Sequence, residues 1–86
     1  MPEYRVAFKS SAEKEFFRLP DDTAARILPR IKAFATDPRP HGTKKLRGGA
    51  NEWRIRVGDY RVIYTIDDEV KHVKVTRIAH RREVYE

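Results

Sequence analysis

The segment of residues 53–64, WRIRVGDYRVIY, constrains the fold of this chain more than any other stretch. Apolar side chains occupy every second position on both sides of Gly58 and Asp59, which is typical of two β-strands that each bury one face. Glycine can supply the positive φ that a two-residue turn requires, so the segment predicts a hairpin in which Val57 pairs with Tyr60. In that register the opposite face carries three arginines, Arg54, Arg56 and Arg61.

The predicted hairpin sets Arg56 directly across from Arg61. Like charges at opposed positions destabilise a sheet, by about 0.2–1 kcal/mol in typical measurements. We favour a functional reason for keeping this repulsion, namely that the arginine face holds a polyanion. The alternative is a solvated polar face that protects the sheet from pairing with other chains.

Length and composition predict a single domain over residues 1–86, with one modest core. The chain has no cysteine, which excludes disulfides and thiolate metal sites. His41, His72 and His80 lack the spacing of metal ligands, so we expect no metal site and no cofactor. No apolar signal segment or run of ~20 apolar residues is present, and we expect a cytoplasmic protein with no membrane partner.

The net charge of +6 is unevenly distributed along the chain. Residues 41–66 carry six Lys or Arg against two Asp or Glu, whereas residues 67–86 carry five of each. The surplus therefore lies in the basic loop and the arginine hairpin, as expected for a surface that contacts a phosphate backbone. An acidic protein partner would fit the same surface.

Apolar periodicity predicts the remaining elements. Residues 4–8 alternate as a first strand, and two helical stripes follow within residues 10–19 and 21–36, the second interrupted by Pro29. A last strand over residues 71–78 is expected to set its valines opposite Val62 and Tyr64. The order β-α-α-β-β-β predicts an α+β fold, with two N-terminal helices packed on one face of a mainly antiparallel four-stranded sheet.

Three fragments in this order resemble the RelE/ParE superfamily of type II toxin–antitoxin toxins: KKLRG at 44–48, the hairpin at 53–64, and RIAHRREVY at 77–85. The resemblance is closer to the RelE-like ribosome-dependent mRNA endonucleases than to the ParE-like gyrase inhibitors. It implies a RelE-like fold and a metal-independent endoribonuclease that cleaves mRNA in the ribosomal decoding site and so inhibits translation. It also implies a cognate antitoxin as partner, besides ribosome and mRNA, with operator DNA bound only through the antitoxin.

The resemblance also implies the catalytic positions, which are Arg54, Arg56, Arg61, Arg81 and Tyr85. The ending is shorter than in the familiar RelE-like enzymes, which leaves Arg82 as an alternative to Arg81. Arginine stays protonated in proteins, so His80 is the candidate general acid or base. Residues expected to hold RNA or the ribosome are Lys44, Lys45, Arg47 and Arg82.

Two other functions stay open at this point. A ParE-like gyrase inhibitor would bind its target without any chemistry on RNA. A catalytically silent RNA-binding module of a toxin–antitoxin complex would keep the basic face and lack activity.

Overall fold

The computed structural model describes residues 3–48 and 51–82, which form two α-helices, a short 3₁₀ helix and a five-stranded sheet. The helices are α1 (Ser10–Phe17) and α2 (Asp21–Lys32), and the 3₁₀ turn Ala33–Ala35 follows α2 directly. The strands are β1 (Arg5–Phe8), β2 (Lys44–Lys45), β3 (Glu52–Val57), β4 (Tyr60–Asp67) and β5 (His72–His80).

The strand order is β1-β5-β4-β3-β2, with β1 parallel to β5 and all other neighbours antiparallel. The predicted α+β class is therefore confirmed, but the predicted count of four strands is one too few. The additional strand is β2, whose two residues pair with Trp53 and Arg54. Two consecutive lysines in a glycine-bearing loop show no alternation of apolar and polar residues, so strand periodicity does not predict β2.

The hairpin of β3 and β4 has the register that the sequence predicts. Val57 pairs with Tyr60, and Arg56 pairs with Arg61. Gly58 supplies the turn with a φ of 59°. Because partners in an antiparallel pair project to the same side, the two arginine side chains leave the sheet together.

The hairpin of β4 and β5 is displaced by two residues from the predicted register. Val75 lies opposite Tyr64, and Val73 lies opposite Ile66. An even displacement keeps the valines on the buried face, so burial alone does not distinguish the two registers. A bulge beside Ile63 leaves Thr76 as the extra residue, and β5 continues through His80 rather than ending at Ile78.

The core lies between the two helices and one face of the sheet. Ile27 and Ile31 of α2 and Phe34 of the 3₁₀ turn are buried against the apolar side chains of β3, β4 and β5. The ring of Phe34 stacks on Tyr64 with a centroid distance of 4.1 Å. Helix α2 runs through Pro29, which is exposed, and ends three residues later.

The helices leave the second face of the sheet uncovered by helix. We call this the open face. Along β4 it carries Arg61, Ile63, Thr65 and Asp67, which alternate with the core residues. In the described part of the chain, neither helix has the length and apolar character needed to cross a bilayer.

Candidate functional site

A cleft of about 200 Å³ opens beside the turn of the β3–β4 hairpin. We call it the arginine cleft. Its lining consists of Arg56, Gly58, Asp59, Tyr60, Arg61 and Arg81. Three residues predicted as catalytic therefore line one cleft.

Cross-strand pairing explains how Arg81 joins the two hairpin arginines. Arg61 pairs with Ala79 of β5, and Arg81 follows Ala79 by two residues along the chain. Side chains two residues apart share a face of an extended segment, which brings Arg81 to the side of Arg61.

Asp59 fixes the backbone at Arg81. The N–H of Arg81 donates a hydrogen bond of 2.7 Å to the carbonyl oxygen of Asp59. The Arg81 Nε lies 3.8 Å from the Asp59 Oδ1, and both side chains are about two-thirds exposed, 64% and 66%. At that exposure an ion pair contributes little stability, so Asp59 acts chiefly by holding Arg81 at the cleft. From the sequence, Asp59 is predicted only as a residue of the hairpin turn, and its contacts with Arg81 are not predicted.

Arg54 lies on the open face but is buried, with 7% of its surface exposed. It pairs with Lys44 on one side and with Ile63 on the other. Ile63 belongs to a small apolar cluster with Ala79, against which Leu46 packs. Arg54 is thus buried near this apolar cluster on the open face, whereas Arg56 is exposed beside the arginine cleft.

His80 lies on the helix side of the sheet, away from the arginine cleft. Its ring contacts Tyr60 edge-on at a centroid distance of 5.4 Å, and its Nδ1 accepts a hydrogen bond of 3.3 Å from the N–H of Arg82. It lines a separate depression of about 210 Å³ together with Glu15 and Arg18. Residues adjacent in sequence point to opposite faces of a strand, so proximity to Arg81 in the chain does not bring His80 to the same side.

The basic residues of the preceding loop divide between the two faces. Lys44 pairs with Arg54 and shares its side, but Lys45 pairs with Trp53, and its Nζ lies 5.7 Å from the indole centroid. Arg47 is exposed, as is Arg82 beyond β5. The last predicted catalytic position, Tyr85, lies outside the described residues.

Beside the other end of β4, an arginine from the loop after the 3₁₀ turn lies in a very different setting. Arg39 donates two hydrogen bonds to Asp68, the shorter one 2.8 Å from Nη2 to Oδ2, and the Tyr4 hydroxyl donates a third at 2.6 Å. These hydrogen bonds, the one from Arg39 foremost, lower the pKa of Asp68 from 3.8 to about 2. The Arg39 guanidinium also lies 4.8 Å from the centroid of Trp53. The sequence offered no signal for this cluster, which we call the Arg39 cluster (Tyr4, Arg39, Trp53 and Asp68).

Two helices lie on one side of an antiparallel hairpin sheet, and guanidinium groups gather at the hairpin turn, as the resemblance to the RelE/ParE toxins leads us to expect. Residues 6–85 match the family described as "ParE toxin of type II toxin-antitoxin system, parDE". The chain belongs to this family, and its predicted place in the RelE/ParE superfamily is confirmed.

Known relatives agree over nearly the whole chain. Toxin RelG of Mycobacterium tuberculosis is 33% identical over 87 residues, which cover 95% of both proteins. Toxin RelE of the same organism is 34% identical over 84 residues, covering 95% of this chain and 86% of the relative. The toxin fold of the archaeal RelE–RelB complex from Pyrococcus horikoshii OT3 superposes with a TM-score of 0.82 at 29% identity, covering 98% of this chain and 100% of that one.

Proposed function

We propose that this toxin is a ribosome-dependent endoribonuclease that cleaves mRNA in the decoding site, without a metal ion, and acts in the cytoplasm. The observation that carries the proposal is the convergence of Arg56, Arg61 and Arg81 on one solvent-open cleft. Guanidinium groups are permanently charged, and their fork of donors matches the oxygens of a phosphate.

The chemistry needs an oriented phosphate, stabilisation of negative charge and two proton transfers. The ribose 2′-OH attacks the adjacent phosphorus, a new bond from the 2′-oxygen to phosphorus forms, and the bond to the 5′-oxygen breaks. The products are a 2′,3′-cyclic phosphate and a 5′-hydroxyl. In this scheme Arg61 and Arg81 hold the phosphate and stabilise the negative charge that grows on its oxygens, and Arg56 holds a flanking phosphate.

One proton must leave the 2′-OH and one must reach the 5′-oxygen. Arginine does not accept protons in proteins, so the arginine cleft needs another group. His80 was predicted for this role and lies on the other face, whereas Asp59 is the carboxylate that lines the cleft. Comparing Asp59→Asn with His80→Ala under single-turnover conditions assigns the proton transfer, because the variant that loses the pH dependence of cleavage carries the titrating group.

The ribosome is needed to orient the mRNA, because the cleft alone does not fix the position of the ribose. The arginine cleft is shallow and open, and the described residues lining it hold a phosphate without fixing the ribose. A ribosome that bends the mRNA into line for attack provides this orientation, which in model reactions is worth ~7–11 kcal/mol of the barrier. Lys44, Arg47 and Arg82 are exposed and able to contact ribosomal RNA.

A cognate antitoxin is the expected partner. The similar structure from Pyrococcus horikoshii OT3 is a RelE–RelB complex, so a neighbour of this fold assembles with a second protein. We extend that assembly to this chain and expect the antitoxin to cover the arginine cleft. Operator DNA would then be bound through the antitoxin.

A second candidate is inhibition of DNA gyrase, favoured by the description of the matched family as ParE toxins. That activity would leave the arginine cleft without a role in toxicity. A silent RNA-binding module is the remaining alternative.

One experiment separates the three functions. The purified protein is added to a translating extract, mRNA 5′ ends are mapped by primer extension, and DNA supercoiling by gyrase is assayed in parallel. Cuts in phase with codons that vanish in Arg61→Ala, and persist in the exposed helix variant Arg30→Ala, support the nuclease. Blocked supercoiling with intact mRNA supports gyrase inhibition. If neither effect is observed, the silent RNA-binding module remains.

A further inference from the structure

A second depression on the open face has no role in the function proposed above. Its volume is about 610 Å³, against about 200 Å³ for the arginine cleft, and it lies at the end of β4 and β5 away from that cleft. It is lined by residues of three strands, which are Arg5, Val6, Ala7, Thr65, Asp67, His72, Val73 and Lys74.

Strand register explains the shape of this depression. Lys74 lies between two small residues, paired with Ala7 of β1 on one side and with Thr65 of β4 on the other. Arg5 pairs with His72 in the next row. Small side chains on either side of a long one leave space above the sheet, and the cations Arg5 and Lys74, both exposed, stand at its margins.

The depression favours an anion. Among the described residues, neither Arg5 nor Lys74 forms an ion pair. The carboxylate in the lining, Asp67, turns its Oδ1 to the backbone N–H groups of Glu69 and Val70, at 3.1 and 3.2 Å. Asp67 therefore stabilises the β4–β5 turn, and the two cations remain available to a ligand.

The depression and the arginine cleft share one face of one strand. Arg61 lines the cleft, and Thr65, four residues further along β4, lines the depression. At a rise of about 3.3 Å per residue the two points are roughly 13 Å apart, a distance that an RNA strand covers within a few nucleotides. A ligand held by the first site can thus reach the second across the same surface.

We propose that Arg5 and Lys74 form a second phosphate-binding subsite for the RNA strand whose scissile phosphate lies in the arginine cleft. This inference rests on the proposed nuclease function. The proposed contacts are ionic, because they come from the two cations Arg5 and Lys74, and contacts to phosphate carry no sequence information.

The test uses the full-length protein and a fluorescent single-stranded 2′-O-methyl RNA, which keeps its phosphates but cannot be cleaved. Affinity is measured by anisotropy over a series of salt concentrations. In the double variant with Arg5→Ala and Lys74→Ala we expect affinity to fall about tenfold, and the slope of log K against log salt to decrease by about 1.4, or 0.7 per lost contact. The matched control combines Lys14→Ala with Arg30→Ala, which removes the same charges from exposed positions on the two helices.

Equal affinity and slope in the two double variants would overturn the subsite. The charge-neutral pair Arg5→Gln and Lys74→Gln retains the aliphatic stems and gives the same prediction if the alanine variant does not fold.

A ribosome assay then separates this inference from the nuclease proposal. The Arg5/Lys74 variant should need more protein for half-maximal cleavage and keep the rate at saturation, whereas loss of the saturated rate would refute a binding role. Absence of codon-phased cuts in the wild type, with the anisotropy difference intact, would reject the nuclease and leave the phosphate site.

Discussion

Two arginines that lie beside opposite ends of β4, Arg39 and Arg56, have opposite surroundings. At the turn with Asp68, Arg39 forms two hydrogen bonds with a carboxylate and lies over the ring of Trp53. At the turn with Gly58, Arg56 lies across from another arginine, and within the described residues it has no ion pair. The first arrangement satisfies the charge of Arg39 within the protein, and the second leaves the charge of Arg56 exposed beside the arginine cleft.

The difference shows that residue type alone does not define a site. Arg39 connects the segment after the 3₁₀ turn to the β4–β5 turn, so its charge is used for folding. The opposed pair of Arg56 and Arg61 costs stability on its own, by about 0.2–1 kcal/mol. A phosphate between the two guanidinium groups would convert that repulsion into binding.

The largest expected effect on folding comes from the Phe34→Ala variant. Phe34 is fully buried and stacks on Tyr64 close to the Arg39 cluster, so its loss should lower the free energy of unfolding by about 3–5 kcal/mol. Urea denaturation measures the change. The control is Phe17→Ala, since Phe17 is 76% exposed, and it should stay within about 0.5 kcal/mol of the wild type.

The Arg56→Ala variant should separate function from stability. Loss of one charge-assisted contact to RNA is expected to slow cleavage by about 10–100-fold, equivalent to roughly 1.5–3 kcal/mol. Relief of the repulsion with Arg61 should leave stability unchanged or raise it by up to ~1 kcal/mol. Cleavage on programmed ribosomes and urea denaturation are measured on the same preparation. A clear loss of stability would mean that Arg56 serves the fold, as Arg39 does.

The Tyr64→Phe variant tests the scaffold near the Arg39 cluster without creating a cavity. The Tyr64 hydroxyl donates a hydrogen bond of 2.9 Å to the carbonyl oxygen of Pro38 and lies 3.3 Å from the Thr43 Oγ1. Burial raises the pKa of Tyr64, which keeps the phenol neutral and able to donate. Loss of the Tyr64 hydroxyl should lower the free energy of unfolding by about 1–2 kcal/mol and leave the rate of cleavage at saturation unchanged. A variant as stable as the wild type would contradict the structural role.

The smallest effect concerns pH. The pKa of Asp68 is lowered from 3.8 to about 2, so the folded state favours the ionised carboxylate. Its contribution to stability is complete above about pH 4 and is lost as the pH falls toward about 2. The Asp68→Asn variant should therefore melt slightly below the wild type at neutral pH, and the difference should shrink in acid. A constant difference across this range would show that the carboxylate charge is not involved.

The sequence predicted those parts of the site that depend on strand periodicity. The alternation on either side of Gly58 gave the pairing of Arg56 with Arg61, and the resemblance to the toxin superfamily added Arg81. The assignment of Arg54 to the arginine face was also correct in its side, but its burial was not foreseen, because burial depends on Ile63 and Leu46 meeting across strands.

The remaining features depend on contacts that periodicity does not encode. The position of His80 follows from β5 extending two residues beyond its predicted end, which places this side chain beside Tyr60. The Arg39 cluster joins residues separated by 29 and 64 positions in the chain. Polar contacts over such separations leave no repeat in a single sequence, so only the folded chain reveals them.

The most direct test of the account is the rate of mRNA cleavage in a single turnover, with programmed ribosomes saturated by toxin. The Arg61→Ala variant should lower this rate by about 10²–10³-fold, the usual loss when one donor to a developing negative charge is removed. The Arg39→Ala variant, with its fraction folded confirmed by urea denaturation, should cleave at the wild-type rate. Equal rates in the wild type and Arg61→Ala would contradict the assignment of the arginine cleft as the site of RNA cleavage.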